Sequence, residues 1–341
     1  MRILVDITHP AHVHFFRNAI DIWKSNGHEV AITAREKDIT INLLNEYKLP
    51  FTVLSSIGKS KISLFKELAV RDFNLYRFCK KFKPDVLTAI GGVFAAHAGW
   101  AIRKPVVVWD DTEHAGISHK MTFPFATSIQ TPDCYTKQLG PKQVLYAGCH
   151  ELAYLHPNRF SPDREVVHSL GIDPDEKYAV IRLVSWQAHH DVGQSGFDKK
   201  IIADFIESIS KHAKPYITSE MKLPKALEKY QLNIPFNRIH HVMAFASVCI
   251  TEGATMASES ALLAVPAIYI NTLLAGTIQE FEKYGLLHQI TDTKKALEKS
   301  IEILNNKDSK YQYKVLNNKY LADKIDVTQY VVATVEKFCV N

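Results

Sequence analysis

Short apolar runs rich in β-branched residues alternate along this chain with longer stretches whose apolar residues recur every three or four positions. The first run, Arg2–Ile7, predicts a strand, and residues 13–24 after it predict an amphipathic helix closed by Asn26-Gly27. The alternation continues with a strand over 29–33, a helix over 39–47, a strand over 52–54, a basic helical region over 62–82 and a strand over 85–90. That strand ends in Gly91-Gly92 and leads to a small-residue helix over 93–102 and a strand over 106–109. Strand and helix in strict alternation predict a parallel sheet covered on both faces. Such sheets bind ligands at the carboxyl ends of their strands, so the turns there are the places to search.

The rhythm lapses at "HPNRFSPDREV", residues 156–166, which reads as a linker, and a second series follows. Its strands are expected at 178–184, 215–218, 248–251 and 267–270, and an amphipathic stretch at 327–338 closes the chain. The organisation expected is therefore α/β, with two Rossmann-like, doubly wound domains facing across a cleft. Residues 1–155 form the first and 156–325 the second, with 326–341 a terminal helix packing back towards the first.

A length of 341 residues suits two cores of ordinary size. With 46% hydrophobic and 23% charged residues the composition is that of a globular protein. No apolar run approaches the roughly 18 residues that span a bilayer, and Met1-Arg2-Ile3 lacks the layout of a secretion signal, so a cytoplasmic protein is expected. Five scattered cysteines form no CxxC pair, which argues against a zinc knuckle or a disulfide framework. The formal charge of +5 suits an anionic ligand or a membrane surface and falls short of a nucleic-acid signature. Basic and apolar residues interleave over 58–84, a pattern that fits either peripheral contact with anionic lipid at the inner face of the membrane or an ordinary helix with a solvated basic face.

Four segments carry candidate chemistry. In "ITEGATMASESALLAVPAIYI", residues 250–270, a strand leads through Gly253, Ala254 and Thr255 into a helix, and small residues there leave backbone N–H groups open to phosphate oxygens. Glu259, two turns on, is either a carboxylate for ribose hydroxyls or an exposed helix residue. In "RLVSWQAHHDVG", Arg182 can neutralise a diphosphate, Ser185 can donate to it and His189 can donate or relay protons. In "WDDTEHAG", Asp110 and Asp111 are candidate proton acceptors with Glu113 beside them; capping of the next element is the alternative. In "THPAHVHFF", His12 and His14 lie two apart on a helix start and point in different directions, so no metal is expected; His12 is the leading catalytic candidate, His9 the second, and His14 structural.

Residues 253–259 with the following Val265-Pro266-Ala267 resemble the donor-binding signature of GT-B nucleotide-sugar enzymes, closest to the N-acetylglucosaminyltransferase that forms lipid II. The segments 84–111 and 9–30 resemble the same enzymes, although His9-Pro10-Ala11 replaces the glycines of their first turn. As a whole the sequence is similar to an uncharacterised family of predicted GT-B glycosyltransferases. The resemblance implies a glycosyltransferase that needs no metal or other cofactor. It would move a sugar from a nucleotide-sugar, of UDP type, to a glycan or lipid-linked acceptor in cell-surface polysaccharide or glycolipid synthesis. It places Glu259 on the ribose, Gln279 on the donor sugar, and His12, Gly91 and Gly92 on the acceptor side. UDP-N-acetylglucosamine 2-epimerases share the fold and the Glu-bearing helix, so an epimerase or hydrolase is the alternative, followed by a silent nucleotide-sugar-binding scaffold. One of the epimerase acids falls at Gly92, which has no side chain, and another falls near Asp110.

Overall fold

The computed structural model describes residues 1–56, 58, 61–184, 201–219 and 222–338. Two compact units divide the chain: the first comprises Met1–Arg159 and the segment from Ile325 onward, the second Phe160–Lys324.

Seven strands build the sheet of the first unit: β1 Arg2–Ile7, β2 Glu29–Glu36, β3 Thr52–Ser56, β4 Val86–Ile90, β5 Val106–Trp109, β6 Ser128–Pro132 and β7 Gln143–Tyr146. Their order is β3-β2-β1-β4-β5-β6-β7 and every pairing is parallel. The order reverses between β1 and β4, so the carboxyl ends of these two strands flank the crevice that doubly wound sheets leave for ligands. Leu4, Leu87, Val106, Val108 and Ile129 form the core on one face with Leu75 of the helix Lys61–Phe82. Strands β6 and β7 are absent from the sequence pattern, since Ser128–Pro132 is half polar and Gln143–Tyr146 is a four-residue edge strand.

The sheet of the second unit has the order β12-β11-β10-β8-β9, again all parallel, from β8 Tyr178–Leu183, β9 Lys214–Ser219, β10 Val248–Thr251, β11 Ala267–Tyr269 and β12 Leu287–Gln289. Here the reversal lies between β8 and β10. The expected linker over 156–166 is shorter than its prolines suggested. Asp163 caps the helix Arg164–Ser169 by accepting from the Glu165 amide at 2.9 Å.

The last helix, Val327–Lys337, lies against the helices Pro10–Ser25 and Leu152–Leu155 of the first unit. Asp326 fixes its start by accepting from the Gln329 amide at 3.1 Å and from Arg159 Nε at 2.9 Å. Tyr330 donates to Gln130 Oε1 at 2.6 Å, which ties it to β6. Among the described residues no helix is long and apolar enough to cross a membrane.

The expected solvated face over 58–84 is interrupted by two charges that point inward. Arg71 and Asp6 of β1 are both fully buried and pair at 2.6 Å. Thr33 of β2 donates to Asp6 at 2.7 Å, while Arg71 also donates to the carbonyl of Ala34 and to Ser55 of β3 and lies over the Phe94 ring. One turn earlier, Glu67 takes both arms of Arg35 at 2.7 Å. Removing one member of a buried pair strands the other charge, so Arg71→Met is expected to cost about 3–5 kcal/mol in urea unfolding followed by circular dichroism. The double variant Asp6→Asn/Arg71→Met should recover a measurable part of that loss.

Candidate functional site

β1 hands the chain to Thr8 and His9, and His9 caps the helix Pro10–Ser25 with extended backbone, Pro10 following in the position where a missing N–H costs nothing. His9 Nδ1 accepts from the Ala11 amide at 3.2 Å, and His12 Nδ1 lies 3.4 Å from both the amide and the hydroxyl of Thr8. A backbone amide can only donate, so Nδ1 of each ring is the unprotonated nitrogen and the neutral ring carries its proton on Nε2. Burial, with the neighbouring His9 and His150, pushes the His12 pKa well below its usual value against the opposing pull of Asp111. His12 therefore presents an N–H donor. His14 faces elsewhere, 3.2 Å from the Tyr47 hydroxyl and stacked on Tyr154.

At the end of β4, Gly91 and Gly92 both adopt left-handed backbone, with φ of 65° and 61°. Only glycine takes two such positions in succession without strain. A Cβ at residue 92 would also stand 3.2 Å from Ala89 Cβ and 3.3 Å from Val108.

The two aspartates after β5 part company. Asp110 is buried and brackets its loop: it accepts from the Thr112 amide at 3.0 Å and the Tyr135 hydroxyl at 2.9 Å, and it contacts His119 Nε2 at 3.2 Å. Asp111 pairs with His150 Nδ1 at 2.9 Å and accepts from the Thr112 hydroxyl at 3.0 Å. Burial opposes ionisation of Asp111, but the charge and hydrogen bond of His150 outweigh it and hold the carboxyl at about 2. In return, burial works against a charged His150 while Asp111 overcomes it and raises the imidazole pKa. Phe15 and Tyr146 flank the His150 ring, and its Nε2 is buried without a partner among the described residues. Glu113 is buried and accepts from the Thr136 amide at 3.3 Å.

In the second unit, the Gly253 amide donates to the Thr251 hydroxyl at 2.9 Å, and the helix Ala254–Leu262 starts from Gly253 without a side-chain cap. Ala254 is half-buried and Thr255 exposed at that start. A Cβ at Gly253 would meet only ordinary contacts, so glycine leaves the helix end uncovered rather than relieving strain. Glu259 is buried, not an exposed helix residue, and its Oε1 lies 2.8 Å from Nε2 of the buried His240 on the helix Ile239–Phe245. Glu252 accepts from the Val184 amide at 2.9 Å, which ties the end of β8 to the end of β10, and its carbonyl accepts from Asn271 at 3.0 Å. Arg182, half-buried on β8, stands opposite Thr251 and Thr218 in register. Gln279 is half-buried on the helix Gly276–Lys283. Ser185 and His189 lie outside the described residues.

The first unit thus gathers His9, His12, Gly91, Gly92, Asp111 and Glu113 at or beside strand ends, and the second gathers Arg182, Gly253, Ala254, Thr255 and Glu259. Sequence reasoning missed His150, His240 and Glu252. His150 follows a four-residue edge strand too short to announce itself, His240 sits on a helix with no site motif, and Glu252 lies in the quoted turn but carries a role that only the β8–β10 pairing reveals.

A family model covers residues 1–335, and its description is "Protein of unknown function (DUF354)". The chain belongs to the DUF354 family. An uncharacterized protein of Methanocaldococcus jannaschii, MJ0665, is 26% identical to this DUF354 chain over 304 residues, 84% of this chain and 87% of that protein. Among solved structures, the UDP-GlcNAc 2-epimerase of Neisseria meningitidis bound to UDP-GlcNAc is similar with a TM-score of 0.70 and 12% identity, over 99% of this chain and 100% of that one. The glycosyltransferase SsfS6 of Streptomyces sp. SF2575 has a TM-score of 0.61 and 11% identity, over 98% and 99%. The fold of this DUF354 protein is accordingly of the GT-B type, two α/β units each with a parallel sheet.

The shifted groups set opposite pH dependences. Asp111, lowered from its usual 3.8 to about 2, lends stability above about pH 4 that is lost as pH falls through about 2. His12, lowered, likewise withdraws support as pH falls below about 6.5, whereas His150, raised, lends stability in acid that is lost as pH rises through its folded pKa. In Asp111→Asn, the NMR titration midpoint of His150 should fall, and the loss of thermal stability between about pH 4 and 2 should shrink.

Proposed function

We propose that this protein is a glycosyltransferase that moves a sugar from a UDP-type nucleotide-sugar to a glycan or lipid-linked acceptor, in cell-surface polysaccharide or glycolipid synthesis. The observation that carries the reading is the buried Glu259, set by His240 two turns into a helix whose uncapped start follows β10 at the reversal of the second sheet. A carboxylate fixed there can accept both ribose hydroxyls, the helix start meets diphosphate oxygens with N–H groups, and Arg182 adds charge without a divalent ion. Gln279 takes the donor sugar.

On the first unit, the ionised Asp111 accepts the hydrogen bond of the acceptor hydroxyl, and His12 donates Nε2–H to an oxygen of the sugar or acceptor. As the acceptor oxygen bonds to the anomeric carbon, the bond from that carbon to the diphosphate oxygen breaks and the hydroxyl proton leaves towards Asp111. UDP departs with the electron pair. Asp110, with three partners of its own, shapes the loop that carries Asp111.

An epimerase is the second reading, favoured by the likeness to the Neisseria enzyme. Against it stands Gly92, which offers no side chain where such chemistry would put an acid and whose left-handed backbone and close neighbours disfavour one.

A panel of nucleotide-sugars with and without candidate acceptors separates the two. Release of UDP that depends on acceptor supports transfer, and release without acceptor supports the epimerase or hydrolase. Glu259→Ala should weaken UDP binding about 10–100-fold by calorimetry, the loss expected when hydrogen bonds to a charged group are removed. Unchanged affinity would overturn the donor site. Asp111→Asn should keep UDP affinity and lose about 100-fold or more in turnover.

A further inference from the structure

On the helix Lys61–Phe82, Glu67, Arg71, Leu75 and Cys79 recur every four residues and are buried. The opposite side is also apolar, yet it faces outward. Val70 is 48% exposed, Phe73 58% and Tyr76 36%, and Trp100 of the helix Val93–Ile102 joins them at 65%. Phe73, Tyr76, His97, Trp100 and Phe125 line a shallow groove of about 410 Å³ between the two helices. A helix of a globular protein normally buries its one apolar stripe; here a second aromatic stripe is left without cover within its unit.

The exposed charges of these two helices around the stripe are basic. Lys66, Arg77, Lys80, Lys81 and Arg103 are exposed, and the Arg77 guanidinium lies 5.8 Å from the Phe73 ring centre. Of the two carboxylates on the same helix, Glu67 is buried against Arg35, and Asp72, half-buried in the groove wall, is paired with His97 Nδ1 at 2.8 Å. Trp, Tyr and Phe surrounded by Lys and Arg match the two layers of an anionic bilayer surface. The rings suit the acyl–headgroup boundary and the cations suit lipid phosphates.

We propose that the first unit docks on an anionic lipid bilayer through Phe73, Tyr76 and Trp100, with Arg77, Lys80 and Arg103 on the headgroups. The surface differs from the basic stretch read along 58–84, because Arg71 and Glu67 leave it for the core and Trp100 and Arg103 join it from another helix. The docking does not depend on the sugar-transfer reading, and its test uses no nucleotide.

The full chain is sedimented with phosphatidylcholine vesicles with and without phosphatidylglycerol. Binding is expected only with the anionic lipid, and it should weaken about five-fold for each cation removed in Arg77→Gln and Lys80→Gln. It should weaken at least about ten-fold in Phe73→Ser/Trp100→Ser, since two rings leave the boundary layer. Because these side chains are exposed, far-UV circular dichroism should stay unchanged. Trp23 and Trp109 are buried and Trp186 lies outside the described residues, so a blue shift of emission on vesicles is assigned to Trp100 by its loss in Trp100→Phe, which should still sediment. Equal binding to neutral vesicles, binding indifferent to Arg77→Gln, Lys80→Gln and Phe73→Ser/Trp100→Ser, or no binding at all would overturn the proposal. So would a dimer of the chain that Phe73→Ser/Trp100→Ser abolishes while vesicles are ignored.

Discussion

The buried pair of Asp6 and Arg71 is the constraint around which the first unit is arranged. Two charges removed from water are tolerable only when each finds the other and further hydrogen bonds besides. Here the partners come from β2 and β3, through Thr33, Ala34 and Ser55, so the pair can form in one strand register and one helix placement. Among the described residues Asp6 Oδ2 and Arg71 Nε have no hydrogen-bond partner, so burying the pair carries a desolvation cost that its other bonds offset. Asp6 lies two residues before Thr8, and what fixes Asp6 also fixes the turn that carries His9 and His12.

The same economy of strand ends recurs in the second unit with different residues. Glu252 bridges the ends of β8 and β10 through the Val184 amide, and His240 holds Glu259 on the helix whose start is uncapped. In both units a carboxylate is set by a histidine: Asp111 by His150, Glu259 by His240. A carboxylate so held keeps its orientation without water to pin it, which is what a group meeting a sugar hydroxyl requires.

Most of the fold was legible in the order of apolar runs, because buried parallel strands are short and β-branched while their covering helices carry a 3.6-residue period. The strands that escaped, β6, β7 and β12, are polar, at an edge or three residues long, where that signal fades. For the site, the glycines and the Glu-bearing helix were legible because special backbone angles and open helix ends demand particular residues. Asp110 and Asp111 were not separable, since adjacent aspartates look alike until their loop is closed.

The sequence by itself therefore determined the α/β class, the alternation that builds two parallel sheets and the turns that carry the candidate residues. Tertiary structure decided which charges are buried and which nitrogen of a histidine carries its proton. It also decided which aspartate meets His150 and that Trp100 lies beside Phe73 and Tyr76. The burial of charges, the choice of aspartate and the aromatic cluster depend on partners distant along the chain, 65 residues for Arg71 and Asp6, and the tautomers on the closed geometry of one turn. Periodicity reports which side of an element is apolar, but the charge, tautomer and exposure of a side chain are properties of what stands opposite it.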